Sequence, residues 1–235
     1  MADGIYVGMC GAVAREQQLE AVADNLANAQ TPGFKSARPA FETFLPASGA
    51  QDKSYTAAVS TGFDLKPGPT VQTGNPLDVL PDGGDFLTVM TSTGELAYTR
   101  DGRMSLDADG RLTIQGRLVL GRNGQSISVP PGAQPEISSD GSVRVGSTAV
   151  ADLAVVHLEG PVNRLGTALL QPGAGGHVAP SESQVRVGQI ETGNTSAMES
   201  VVDMISVQRN FETSMQAIQT YRQLDQRAND VGRPR

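Results

Sequence analysis

Tryptophan is absent, and aromatic residues make up only 4% of the 235-residue chain. A core built on large rings is therefore excluded, and apolar burial has to come from aliphatic side chains spread over many small elements. Cysteine occurs once, as Cys10, which excludes an internal disulfide framework. Its setting, VGMCGA, invites comparison with a lipoprotein signal. The preceding segment carries Asp3 and Gly4, lacks a basic start and is too short for a signal's apolar core, so Cys10 is expected to be a small packed apolar residue. No apolar run approaches the roughly 18 residues of a membrane span, so no membrane insertion is expected, and the chain reads as cytoplasmic or as exported without a cleaved leader.

Positive charge is also in short supply. Lys and Arg number 18 against 25 Asp and Glu, a formal net charge of −7. That excludes the basic footprint a nucleic acid requires and disfavours an anionic membrane surface. The two histidines, His157 and His177, stand at no metal-ligand spacing with each other or with Cys10. There is no GxSxG elbow and no GxxxxGK[ST] loop, and Gly173-Ala174-Gly175-Gly176 follows no strand-to-helix junction. No catalytic residue, cofactor or metal is expected.

What the sequence does contain is helical pattern at both ends. Ile5, Met9, Ala12, Leu19, Ala23 and Leu26 recur at intervals of three, four or seven, the stripe a helix buries against partner helices. Asp3 can cap this helix, and Glu16 falls in its register as a polar interruption. AVADNLANAQTPGF then ends it: Thr31 precedes Pro32 and is pushed out of helical geometry, and Gly33 can take the positive φ of a tight turn before Phe34. Asn25 and Asn28, poor helix formers, can bond nearby backbone and fix the exit of the chain. At the other end Ser196 with Glu199 fits a capping box, and Val201, Met204, Phe211, Met215 and Ile218 continue a seam interrupted by Gln208, with Gly232 and Pro234 as a stop. The two helices are expected to pair, and to order fully only when neighbouring subunits cover their remaining faces.

Between them, 27 glycines and 14 prolines in the whole chain point to a turn-rich region. Residues 35–80 read as an extended connector with a few strand-like pieces. Strand patterns then alternate with turn signals at Thr93-Gly94, Asp101-Gly102, Asp109-Gly110, Gln115-Gly116, Asn123-Gly124 and Asp140-Gly141, and an apolar run covers Val150 to Leu158. Residues 81–188 are thus expected to form an antiparallel β domain, and 1–34 with 189–235 a discontinuous helical one. The fold class is α+β. Asp107-Ala108-Asp109-Gly110 resembles the start of a calcium loop, but Ser105 and Gly116 fall where the first ligand and the bidentate acid belong, so a hairpin turn is favoured. Arg100, Arg103, Arg111, Arg117 and Arg122 are either solvated strand positions or charges that contact other subunits.

Two classes of function remain: a helically assembling structural subunit, or a secreted β-domain binding module with a coiled-coil stalk. A hydrolase is a distant third.

IYVGMCGA at 5–12, DNLANAQTPGFK at 24–35, TGNPLDV at 73–79, YTRDGRMSLDADGRL at 98–112 and MESVVDMISVQRNFETSMQAIQT at 198–220 together resemble the flagellar basal-body rod and hook proteins. The resemblance spans both ends and the middle. It implies a periplasmic rod subunit, exported by the flagellar type III apparatus without a cleaved signal. Self and other rod proteins are the implied partners, and the paired helices would line the inner tube. The short middle disfavours a hook protein. The overall length and QRNFET at 208–213, with Phe211, are more similar to the proximal than to the distal rod type.

Overall fold

Neither terminal segment contains an internal proline, and both are long helices: α1 spans Ala2–Ala27 and α2 spans Ala197–Val231. The computed structural model describes residues 2–44 and 55–231, with side chains described at 8–40, 62–224, 226 and 227. Among the described residues, no helix is long and apolar enough to cross a membrane. The Asp3 side chain and residues 232–235, expected to cap and to stop the helices, lie outside what is described.

The described residues form two units. One contains α1, α2 and a two-stranded sheet, Ala37–Phe44 with Tyr55–Phe63 up to Gly62; the other contains 28–36 and 63–195.

In the helical unit α1 and α2 pack against each other. Ala12, Ala14 and Val22 are buried on α1, and Ser200, Val207 and Ile218 on α2. Half-buried Met204, Phe211 and Ser214 complete an alternation of four and three residues along α2, the spacing of a coiled-coil seam. Small residues on α1 permit close approach. A Cβ built at Gly8 would lie 2.8 Å from Ile218 Cγ1. At the start of α2 the Ser196 hydroxyl accepts the Glu199 amide at 3.4 Å, satisfying one of the orphan donors of the first turn. Where α1 ends, Asn25 substitutes for a strand. Its Nδ2 donates to the Ala37 carbonyl at 2.9 Å and its Oδ1 accepts the Ala37 amide at 2.8 Å.

The other unit is antiparallel β. Its nine-stranded sheet is built around the hairpin Phe86–Met90 with Leu96–Thr99, registered from Leu87 opposite Thr99 to Met90 opposite Leu96. Met104–Leu106, Leu112–Ile114 and Arg117–Val119 form a meander on one side. The Gln115-Gly116 turn that joins the last two carries φ of 49° and 76°, as a two-residue hairpin of the favoured twist requires. Strand alternation divides the core by face. Leu87 and Val89 enter a mainly aliphatic cluster with Leu112, Val119 and Val143, while Phe86 joins Tyr98, Leu158, Val162 and Leu170 on the other face. Each fully buried aliphatic side chain contributes about 1.5–3 kcal/mol, so many modest residues replace the missing large rings.

Three expectations change. Asp101-Gly102 is not a hairpin, because Leu96–Thr99 and Met104–Leu106 are not neighbours in the sheet. Buried Asp101 is held instead by Arg103 and Gln115, and the Gly102 carbonyl accepts the Val79 amide at 3.1 Å. The run Val150–Leu158 is split between Thr148–Asp152 and Val155–Glu159, in different sheets, with buried Leu153 between them. The connector does not read as one piece either. Residues 28–36 and 63–80 belong to the β unit and Ala37–Gly62 to the helical one, while Gln189–Glu191 pairs with Thr70–Gln72 rather than starting the helical domain.

Asp85, at the start of the central hairpin, is nearly buried and ties three segments together. Its Oδ1 faces His157 Nδ1 at 2.7 Å, and its Oδ2 accepts the hydroxyls of Ser181, at 2.5 Å, and of Ser183. Burial pushes its carboxyl up, but the hydrogen bonds from Ser181, Ser183 and His157 outweigh it and hold the group below the ordinary carboxylate value. A depressed folded-state pKa gives stability that is present above the unfolded value, about 3.9, and lost as pH falls through the folded one. Asp85→Asn is therefore expected to lower the unfolding free energy measured in urea at pH 7 by about 1–3 kcal/mol, and to flatten the acid limb of a midpoint-against-pH series. An acid limb identical in the two proteins would contradict this.

Candidate assembly helices and the buried junction

The residues expected to form subunit-contacting seams fall into three groups. Ile5 lies in α1, and its side chain is outside what the structure describes. Leu19, Leu26, Met204 and Phe211 are half-buried and Ile218 is buried, all on the side where the helices meet. Met9, Val201 and Met215 are exposed, as are Glu16 and Gln208, so they are off the packed stripe. The reason is register. The packed line on α2 runs Ser200, Met204, Val207, Phe211, Ser214, Ile218, and its two serines hide two of the six positions from a reading based on apolar residues alone. Gly8, Ala14, Val22 and Val207 were missed for related reasons of size and phase.

A second apolar line is left uncovered. Met198, Val202 and Ile205 recur on the first turns of α2 and are 83%, 66% and 49% exposed, and Val13 on α1 is exposed as well.

The junction residues Asn25, Asn28, Pro32, Gly33 and Phe34 occupy the end of α1 and the turn that follows. Asn28 closes this turn, its carbonyl accepting the Thr31 amide at 2.9 Å and its Oδ1 the Thr31 hydroxyl at 3.2 Å. Pro32 is half-buried. Gly33 has a φ of 71°, and a Cβ there would lie 2.2 Å from the Asp101 amide nitrogen, so the turn rests backbone to backbone on the end of the Leu96–Thr99 strand. Phe34 is fully buried.

Beneath this turn lies a charge cluster that the sequence did not announce. Glu191 is 0% exposed. Its Oε1 accepts Lys35 Nζ at 2.7 Å and the Gly68 amide at 3.0 Å, its Oε2 accepts Arg100 Nε at 2.6 Å, and its carbonyl accepts the Gly33 amide at 2.9 Å. Arg100 reaches on to the carbonyls of Asp85 and Pro81, and Lys35 to that of Lys66. Both cations stand 5.9 Å from the Phe86 ring. Burial pushes the Lys35 ammonium below its usual value, and neighbouring Arg100 adds to that; Glu191 pulls the other way. Arg100 is thus neither solvated nor available to another subunit.

Of the other arginines of that run, Arg103, Arg111 and Arg117 have side-chain partners within the fold, while the Arg122 side chain is exposed. Arg103 forks onto Asp101, and Arg117 bonds Gln115. Arg111 donates to Asp107 at 2.9 Å and to Asp109 at 2.7 Å, so its guanidinium stands where the calcium-like motif would put a cation. Arg122 bonds Asp152 through its backbone amide. His177 sits opposite Glu159 on the strand next to that of His157. Among the described residues, no group of three His, Cys, Asp or Glu could hold a metal ion. The arrangement is one of fixation, with charges satisfied inside and apolar side chains left outside on the helices.

Three stretches of the chain match known families: residues 5–35 the family described as "Flagella basal body rod protein", residues 82–145 "Flagellar hook protein FlgE/F/G D1 domain", and residues 186–231 "Flagellar basal body rod FlgEFG protein C-terminal". The flagellar basal-body rod protein FlgF of Escherichia coli (strain K12) is 33% identical over 249 residues, covering 98% of each chain. That of Salmonella typhimurium is 32% identical with the same coverage, and that of Mesorhizobium japonicum is 30% identical over 91% of each chain.

Glu191→Gln leaves two buried cations without their anion. It is expected to destabilise the protein by about 3–5 kcal/mol, the cost of breaking a buried pair from one side. Arg186→Gln, which opens the exposed pair with Asp82, should cost under about 1 kcal/mol. Urea unfolding of both variants checks the contrast; equal losses would refute it.

Proposed function

The chain belongs to the flagellar basal-body rod protein family and is a structural subunit of the rod; from that premise we propose that it occupies the proximal rod, with α1 and α2 forming the inner tube. In this position the helices enclose the channel through which later subunits travel, and the polymer acts as a drive shaft that carries motor torque. The subunit reaches the periplasm through the flagellar type III apparatus.

The observation that carries this reading is the uncovered apolar line Met198, Val202, Ile205 on a helix whose other side is already packed. Apolar side chains repeated along one helix face call for a covering partner. Contacts between unlike faces of successive subunits, related by a rotation that does not close, extend into a shaft rather than a ring. FlgF-type length and coverage support the proximal position, as does Phe211.

Ile205→Asp combined with Met215→Asp alters only exposed positions, so the purified protein should unfold as wild type does. Isolated basal bodies should nonetheless lack the variant, and swimming should be lost. Normal rods and motility in this variant would sink the proposed helix contacts. High-resolution microscopy of tagged wild-type protein tests the position: a signal near the hook end would place it in the distal rod instead.

A further inference from the structure

The chain crosses between its two units at four points, 27/28, 36/37, 62/63 and 195/196. A lone extended segment turns freely about its two soft dihedrals, so a strand root that is not tied down absorbs twist instead of passing it on. In the β unit the roots are tied to one another. The Asp64 amide donates to the Ser36 carbonyl at 2.9 Å. Asn194 accepts the Ser36 amide at 2.7 Å through Oδ1, and its Nδ2 donates to the carbonyls of Asp64 at 2.6 Å and Lys66 at 3.0 Å. The Asn194 amide itself donates to the Phe34 carbonyl at 3.3 Å.

Arg164 links this knot to the sheet. It projects from the Val162–Gly166 strand, and its guanidinium lies 4.6 Å from the centre of the Phe34 ring and 4.7 Å from that of Phe63, one aromatic at each root of the Ala37–Gly62 excursion. It also donates to the Lys35 carbonyl at 2.5 Å. A planar guanidinium can stack between two rings while spending its edge on a carbonyl, which an ammonium cannot do.

We propose that Arg164 is a positioning residue for load: by fixing Phe34 and Phe63 to the main sheet, it keeps the strand roots from swivelling when the rod turns. Asn194 and Lys35 tie the two roots to each other, whereas Arg164 stacks on an aromatic at each root from a strand of the main sheet. The inference rests on the torque-carrying rod reading above.

Arg164→Lys keeps the charge and removes the stack. Rods should be present in wild-type number in isolated basal bodies, and swimming at low viscosity should be preserved, whereas speed in viscous medium should fall well below wild type. A control, Val143→Ala, trims the β core away from the roots and should lose stability without any dependence on load. Unchanged speed at every load, an equal loss at all loads, a load dependence shared by Val143→Ala, or failure of Arg164→Lys to enter rods would each overturn the proposal. If wild-type tagged protein is itself missing from rods, the rod reading fails, and that outcome is recognisable without the variant.

Discussion

One buried carboxylate organises the β unit. Glu191 brings together Lys35 from the turn after α1, Arg100 from the central hairpin and the backbone of Gly68, segments far apart in the chain. Its burial is tolerable only because every oxygen is occupied and two cations answer it, and those cations are in turn tied to carbonyls. The close rest of Gly33 on Asp101, the burial of Phe34 and the pairing of Gln189–Glu191 with Thr70–Gln72 all presuppose this cluster. An ion pair of this kind adds specificity of docking more than net stability, since only one arrangement of the turn satisfies all three charges.

The helices follow the opposite rule. Their shared seam is built from small and modest residues, with Gly8 against Ile218 and serines at two packed positions of α2, while some of the larger apolar side chains face outward. A seam like this brings backbones close but buries limited apolar area, so much of the hydrophobic content of the pair is reserved for other surfaces. The division between a charge-locked β unit and helices with apolar surface to spare suits a subunit that folds first and assembles afterwards.

Much of the architecture was legible in the chain itself. Helical periodicity at both ends, the stop at Pro32-Gly33 and the hairpins at Asp109-Gly110, Gln115-Gly116 and Asp140-Gly141 depend on local rules of period and turn geometry, and local rules can be read from neighbours in sequence. What could not be read depends on pairing at a distance. Arg100 looked like one of five surface arginines because its partner lies 91 residues away, and Asp101-Gly102 carried a hairpin signature although its backbone is laid against Val79. The phase of the α2 seam was misread where Ser200 and Ser214 replace apolar residues, because burial there follows geometry and not residue type.

The Asp107–Arg111 turn has a wider meaning. Its two carboxylates already hold a cation, but one that is covalently part of the chain. A turn closed in this way keeps its carboxylates paired without an added ion. For a part that works in a compartment whose ionic content follows the outside world, a counter-ion built into the polypeptide makes the fold self-contained.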